Sequence, residues 1–496
     1  MRRSSILDTD GYKFSMGQAG APLRQEVFCG TFRRGGWQYM PYDLEKKIEE
    51  LLPEPATEEE HAYLADNNYR LTEAMRQAIQ GSLETQPIPQ GAWFGNQEPY
   101  LTAKGPSFLA SWPEAKITWL NYGIQLATYL KSIDPKARHE PMPVISDEHL
   151  AVVEEVFDLV KVSLPTFRDS SYPEKVLTAA REIVDALDGG DVALRLTEGG
   201  LRSALCMDHH RMVLQACMEV GITRTSNVFL ARELGGTPVG TAGHEHSQRS
   251  GTDAVAYANY MDRVCGLVSC LSDTTSTLNS GLPATLAIAL ANTLRSFLFR
   301  LDSGDRMSYF HIAAVRFMQE KVENVVINVA GDVDAQMIRE FEPLVKLVKW
   351  AANRLSYMIG GQLTAATLPT IFTRGRVAAV WKLCMTGGKP VRKLGDDVDA
   401  GDGVDIGKSS TAGHPVTWRR LRGEGPVGII GQMGEPVLDN YIVLNGNPEA
   451  AKVLQLTRAE PALKDGVWRW GGDTIPYTPS PATRELNERC KKEMYG

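Results

Sequence analysis

From about residue 180 onward the chain repeats one device: a short apolar run ends in Gly, Ser, Thr, Asp or His and gives way to a helix-like segment. The runs are DVALRLTEGG (191–200), ITRTSN (222–227), TPVGTAGHEH (237–246), GLVSCLSDTTST (266–277), SFLFRLDSGD (296–305), ENVVINVAGDVD (323–334) and NRLSYMIGGQL (353–363). Several are continuously apolar rather than alternating, the pattern of strands buried on both faces, as in parallel sheets. Between them lie GLPATLAIALANTLR and DAQMIREFEPLVKLVKWAANR, which read as crossover helices. Recurrence every 20 to 35 residues or so predicts a (β/α) barrel or a large open α/β sheet.

Each candidate strand carries polar residues at its C-terminal end: Glu198, Ser226, Asn227, His244, Asp273, Asp302, Asp305 and Asp332. In a barrel these ends converge on one mouth, and in an open sheet they border the crevice that holds ligands. Either topology therefore implies one crowded polar centre.

The flanks read differently. EVFCGTFRR (26–34) reads as a strand; DLEKKIEELL (43–52), TEEEHAYLADNN (57–68) and ITWLNYGIQLATYLKSI (117–133) read as helices. The expected organisation is an N-terminal α+β domain over 1–140, a barrel over 141–385 and a C-terminal extension over 386–496 that packs on the N-terminal domain. In the extension VAAVWKLCMT and GKPVRKLGDD look like strands, 395–415 like an irregular Gly/Asp-rich excursion, and TIPYTPSPATR (474–484) like an extended stretch.

Composition narrows the function classes. In 496 residues, 43% hydrophobic and 23% charged, a net charge of -7 gives no reason to expect nucleic acid as a partner. No stretch is apolar enough to span a bilayer, and the first residues lack a signal-peptide pattern. Seven scattered cysteines without a CxxC pair suggest reduced thiols and a cytoplasmic location.

The word DSGD sets Asp302 and Asp305 around Ser303 after a buried run, suited to sugar hydroxyls, to Mg²⁺, or to both, or simply to a polar turn. Glycines at 199, 200, 240, 360 and 361 can expose backbone N–H groups to phosphate, and Arg202, Arg224 and Arg300 offer charge near the same mouth, or pair with carboxylates. His244 and His246, two apart on a presumed strand, would face one way and with Asp302 could form a barrel metallohydrolase site. Against that alternative, the remaining adjacent pair, His209 and His210, reads as helical.

Five words taken together resemble the nicotinate phosphoribosyltransferase family of type II phosphoribosyltransferases, with some similarity to its nicotinamide-using relatives. They are LDTDGYKFSM (7–16), RTSNVFLARELGGTPVGTAGHEHSQ (224–248), LSDTTSTLNSGLPATLAIA (271–289), FRLDSGDR (299–306) and INVAGDVDAQMI (327–338), spread in order over residues 7 to 395. The resemblance implies an irregular (β/α) barrel with an N-terminal α+β domain, in a homodimer whose second subunit completes the site. It implies transfer of the phosphoribosyl group of phosphoribosyl pyrophosphate to the ring nitrogen of nicotinate, with Mg²⁺, coupled to ATP through a phosphohistidine.

The same resemblance assigns roles. His244 would accept the phosphoryl group, with Asp302 and Arg202 as the other catalytic groups. Asp302 and Asp305 would hold the ribose hydroxyls and Mg²⁺. Tyr12 would stack on the base from the partner subunit. Glu198, Gly199, Arg224, Thr225, Ser226, Asn227, Asp273, Arg300, Ser303, Gly360 and Gly361 would complete the substrate site. Three positions depart from the pattern. Gly199 replaces an aromatic residue that would sandwich the ring, Gly331 stands where asparagine is commoner, and Met358-Ile359-Gly360-Gly361-Gln362 replaces a G-x-G-T word. These leave open a different aromatic acid as acceptor; retention of His244 and DSGD argues against a non-catalytic homologue.

Overall fold

A computed structural model describes residues 4–20, 24–32, 36–95, 97–132, 142–163, 165–351, 353–368, 379–394, 410–457, 459–464, 467–470 and 477–495. The N-terminal part contributes helix α1 (Gly11–Ala19), strands β1 (Gln25–Phe32) and β2 (Pro99–Pro106), and helix α2 (Ile117–Ser132). β1 and β2 run antiparallel, pairing Phe28 with Ala103.

The barrel strands are β3 (Leu196–Glu198), β4 (Arg224–Thr225), β5 (Thr237–Pro238), β6 (Val268–Leu271), β7 (Phe297–Leu301), β8 (Val325–Val329) and β9 (Leu355–Ile359). All seven are parallel, in the order β5-β4-β3-β9-β8-β7-β6. That order is a cyclic permutation of the sequence order, because the last strand pairs with the first (Ile359 beside Glu198). One seam stays open among the described residues, between β5 and β6. The fold is thus an irregular, incompletely closed α/β barrel.

Helices α3 (Met207–Glu219), α4 (Val228–Leu234), α5 (His244–Ser250), α6 (Asp253–Arg263), α7 (Leu282–Ala291), α8 (Arg306–Gln319) and α9 (Ala335–Leu347) connect the strands. Their starts follow capping chemistry. Asn227 caps α4 by accepting from Leu230 N–H, Asp305 caps α8 by accepting from Ser308 N–H, and Pro283 sits in the first turn of α7. Outward-facing strand residues bury against these helices: Phe299 meets Phe317 edge-on, and Tyr357 O–H donates to Glu342 at 2.6 Å. Each buried aromatic or aliphatic side chain of this layer contributes roughly 1.5–3 kcal/mol.

α5 and α6 lie on the chain segment that crosses the open seam, and α1 packs against α6. The backbone of α1 touches the end of β5 so closely that a Cβ on Gly240 would lie 2.4 Å from the Tyr12 nitrogen. Two local expectations change here. The run 191–195 is a helical turn (Val192–Arg195), so only its last residues form a strand. The run 237–246 stops being a strand at Pro238, because Gly240 and Gly243 let the chain turn and His244 begins a helix.

β10 (Ala379–Thr386) pairs with β1 and extends the N-terminal sheet; the expected domain boundary at 385 falls inside it. Beyond it, β11 (Pro415–Arg420) and β12 (Gly428–Gln432) run antiparallel. Thr417 Oγ1 donates to Pro99 O at 3.1 Å, and buried Arg419 pairs with buried Glu98 at 2.5 Å, fixing this part to the N-terminal sheet. Residues 395–409 of the Gly/Asp-rich excursion and 474–476 of the Pro-rich stretch lie outside the described residues. The rest of that stretch is a short strand (Tyr477–Pro479) and the start of a helix (Pro481–Tyr495). No helix among the described residues is long and apolar enough to cross a membrane.

Candidate functional site

At the mouth of the barrel, beside the open seam, four side chains meet. His244 Nε2 lies 2.8 Å from Lys393 Nζ, 3.7 Å from Asp273 Oδ1 and 3.9 Å from Asp302 Oδ2. Lys393 Nζ also donates to Asp273 Oδ2 at 3.3 Å. His244 is the first residue of α5, Asp273 follows β6, Asp302 follows β7, and Lys393 arrives from the segment after β10. The His244 Nδ1 lies 3.1 Å from Thr274 Oγ1. Ser303, after β7, donates to Asp273, after β6, and Arg300 donates to Asp302 at 2.5 Å from the end of the same strand, β7.

Burial, reinforced by the Lys393 ammonium, lowers the His244 imidazole to about 4, so it is neutral at physiological pH. Burial alone would raise the Asp273 carboxyl, but Lys393 and His244 outweigh it and hold it below the usual carboxylate range. At neutral pH the cluster therefore presents an ionised Asp273 and a neutral His244 imidazole.

His244, Asp273 and Asp302 offer ligand atoms that all lie within 4.8 Å of one another. Asp273 Oδ1 is buried and accepts no hydrogen bond among the described residues. Two carboxylates of this kind suit a hard cation such as Mg²⁺. The expected partner of Asp302 was Asp305, but Asp305 turns away: it is exposed, and its carboxylate caps α8 through Ser308. The acidic pair of the cluster is Asp273 and Asp302.

The His244/His246 metal pair does not form. Residues two apart on a helix point to nearly opposite sides, and His246 is buried with Nε2 2.9 Å from Ala256 O and its ring edge-on to Tyr260. A strand would have aligned them; the helix beginning at His244 separates them.

A second constellation adjoins the first. Glu114 accepts from Tyr12 O–H (2.8 Å), Lys13 Nζ (2.6 Å) and Arg202 (2.9 Å). Lys13 also reaches Glu245 at 2.8 Å, Glu245 lies 3.9 Å from Arg249, and Arg249 pairs with Glu26 at 2.7 Å. Charges thus alternate in a line from Arg202, whose side chain is 46% exposed, to Glu26, which is buried. The line ties α1 to α5 and so fixes the element that presents His244. Tyr12 belongs to this network within its own chain and lies against Gly240 and Gly243.

The remaining expected site residues separate by the face they occupy. Arg300 points into the barrel, where it donates to Thr241 Oγ1 at 2.7 Å. Glu198 points outward and is fully buried; it accepts from Thr225 Oγ1 at 2.7 Å and lies 3.0 Å from His210 Nε2. Asn227 donates to His210 while capping α4, and Ser226 donates to Asp10 at 2.5 Å. These groups hold the barrel wall and the N-terminal segment rather than line the mouth, because one step along a strand exchanges faces. Arg224 is half-buried, with Tyr69 among its electrostatic neighbours.

Gly199 and Gly200 lie against Gly360 and Gly361 at the adjoining ends of β3 and β9. Gly199 N–H donates to Ile359 O at 2.6 Å, and a Cβ on Gly360 would lie 3.3 Å from Gly199 O. A Cβ on Gly199 would meet Met358 Cγ at 2.9 Å, so the thioether occupies the space into which an aromatic side chain there would start. Gly331, at φ +70°, lies so close to Asp302 that a Cβ would come 2.2 Å from its carbonyl oxygen. Sequence reasoning missed Lys393, Glu114 and Lys13: the first two stand in stretches with no motif spacing, and Lys13, although inside the word LDTDGYKFSM, was not singled out there.

No family model matches the chain, and no curated protein sequence matches it. Solved structures do. A Saccharomyces cerevisiae protein described as a nicotinate phosphoribosyltransferase is similar over 81% of this chain and 95% of its own, with a TM-score of 0.55 at 18% identity. The Porphyromonas gingivalis nicotinate phosphoribosyltransferase is similar over 83% and 96%, with a TM-score of 0.54 at 19% identity. The Vibrio cholerae enzyme of the same name is similar over 81% and 91%, with a TM-score of 0.51 at 18% identity. At these identities the similarity establishes a shared fold.

Proposed function

We propose that this chain transfers the 5-phosphoribosyl group of phosphoribosyl pyrophosphate to the ring nitrogen of nicotinate, giving nicotinate mononucleotide and pyrophosphate. The observation that carries the reading is the meeting of His244, Asp273, Asp302 and Lys393 at one barrel mouth, in a fold shared with nicotinate phosphoribosyltransferases.

In the transfer, the pyridine nitrogen lone pair forms the bond to C1′ while the C1′–oxygen bond to pyrophosphate breaks. Positive charge develops on the ribose ring. The Asp302 and Asp273 carboxylates are suited to stabilise that charge, and Lys393 and Arg300 to meet the departing phosphates. A pyridine nitrogen is already nucleophilic, so no general base is needed. Mg²⁺ held by Asp273 and Asp302 would neutralise pyrophosphate charge.

ATP coupling belongs to the same reading. The neutral His244 Nε2 would attack the γ-phosphorus, forming an N–P bond as the bond to ADP breaks. The Lys393 ammonium, now on that nitrogen, would pass to the phosphoryl oxygens and offset their charge. The reading extends to a cytoplasmic homodimer, with support for the compartment from cysteines that are all free thiols.

A different aromatic acid is the second reading, favoured by Gly199, where Met358 fills the place of a ring. The test is a product assay with phosphoribosyl pyrophosphate, Mg²⁺ and a panel of pyridine and benzoic acids, with and without ATP. Nicotinate-dependent pyrophosphate release is expected. Release with another acid alone selects the second reading, and no release with any acceptor rejects both.

A further inference from the structure

Two short segments grip the His244 ring from its two nitrogens. Asp273 and Thr274 follow β6, and Lys393 and Leu394 arrive from the segment after β10. Lys393 Nζ donates to Asp273 Oδ2 at 3.3 Å, and Leu394 N–H donates to Thr274 O at 3.3 Å. The second segment is itself tied down, since Lys393 N–H donates to Ser410 Oγ at 2.9 Å. The imidazole lies between them, with Nε2 2.8 Å from Lys393 Nζ and Nδ1 3.1 Å from Thr274 Oγ1.

These contacts decide where the ring hydrogen sits. An ammonium has hydrogens to give and no lone pair, so Nε2 meets Lys393 as an acceptor. The ring hydrogen is then on Nδ1, and the Thr274 hydroxyl oxygen accepts it. The Asp273 and Asp302 carboxylates would draw a hydrogen to Nε2 instead, but at 3.7 and 3.9 Å they lie beyond hydrogen-bond reach. Thr274 is fully buried, and its β-branched side chain has few rotamers, so the direction of Oγ1 is fixed.

We infer that Thr274 is the positioning residue of His244: its hydroxyl accepts the Nδ1 hydrogen and keeps the Nε2 lone pair turned towards Lys393 and the mouth. The use of this bond rests on the ATP-coupled reading; the bond itself does not. In that reaction the Nε2 lone pair forms the N–P bond, the electron pair of the broken P–O bond leaves with ADP, and the hydrogen stays on Nδ1. Positive charge spreads over the ring as the N–P bond forms, so the hydrogen bond from Nδ1 to Thr274 strengthens in the transition state. When Lys393 moves to the phosphoryl oxygens, Thr274 stays on Nδ1 and keeps the ring in place.

The experiment labels the full-length protein with 15N-histidine and reads the ring nitrogens near neutral pH, His244→Ala identifying the His244 signals. Nδ1 is expected to carry the hydrogen and Nε2 to be bare; a hydrogen on Nε2 overturns the inference. Thr274→Val keeps the side-chain shape and removes the acceptor. Its Nδ1 proton resonance should move upfield, and kcat for ADP release should fall about tenfold or more, with KM for ATP little changed. Thr274→Ser restores the oxygen and should recover the resonance and most of the rate. An unchanged resonance and rate in Thr274→Val, or a serine variant no better than the valine one, overturns the role of Thr274. The wild-type and serine proteins carry the test should the valine variant not fold. Absence of ADP release from the wild type rejects the ATP-coupled reading, and the ring-nitrogen signals of the wild type and the variants then decide the inference by themselves.

Discussion

Lys393 Nζ lies 2.8 Å from His244 Nε2 although 149 residues separate the two in sequence. The ammonium faces the nitrogen to which the proposed function gives phosphoryl transfer, and Asp273 holds it there. Lys393→Met should raise the His244 pKa from about 4 towards its ordinary value, burial keeping it below that value. It should also lower the transfer rate about 100-fold through the lost positive charge. Histidine NMR titration and steady-state rates check both; an unchanged rate would remove Lys393 from the reaction.

His244→Ala should abolish ATP hydrolysis and leave slow, ATP-independent transfer. ADP release and pyrophosphate release, followed in the same samples, separate the two activities. Unchanged ATP coupling in the variant excludes His244 as phosphoacceptor.

Acid should destabilise the protein below neutrality. Burial depresses His149, His244 and His246 each to about 4 in the folded state, against about 6.5 when unfolded. The unfolded chain therefore takes up protons first. Stability is full above pH 6.5 and falls as the pH drops from 6.5 through 4. His149 shows why protonation is resisted: its Nδ1 accepts from Ile145 N–H at 3.1 Å, leaving Nε2 to carry the hydrogen towards Tyr122. Urea midpoints measured between pH 8 and 4.5 should decline over that window, and less steeply in His149→Phe; a flat profile refutes the account.

Much of the barrel was legible because Phe297–Leu301 and Val325–Val329 are apolar runs, each interrupted by a single polar residue (Arg300 and Asn328), as strands buried on both faces would be. The facing of polar strand ends was not. Glu198 sits on a three-residue strand, too short for alternation to reveal that it points outward. Asp302 and Asp305 share one word, yet the turn between them sends one to the cluster and the other to a helix cap. His244 was legible as a candidate from its motif, whereas Lys393 and Glu114 reach the site only through tertiary packing.

Glu114→Ala should destabilise the fold by about 3 kcal/mol, because it deprives buried Lys13 of one carboxylate and frees Tyr12 and Arg202. Replacing Lys13 and Glu114 together with Met and Leu should cost less than the single change, since no unpaired charge remains. Denaturant titration of the three proteins tests the order; equal losses would count against a buried pair.

Gly331→Asn should reduce activity rather than restore it, although asparagine is the commoner residue in the resembled segment. Asparagine tolerates the positive φ, but its Cβ would meet the Asp302 carbonyl oxygen at 2.2 Å and displace that loop. A transfer rate equal to that of the wild type would show that the loop yields without harm.

The pairing of β1 with β10 sets a timetable for synthesis. Thr386 donates to Glu26 across 360 residues of chain. At translation rates of about 5–20 residues per second, β1 waits roughly 20–70 s for that partner to be made. Throughout the interval, the β1 edge that β10 later covers is open to other strands. A chaperone that shields exposed strand edges would therefore raise the yield of active protein most when it acts during translation.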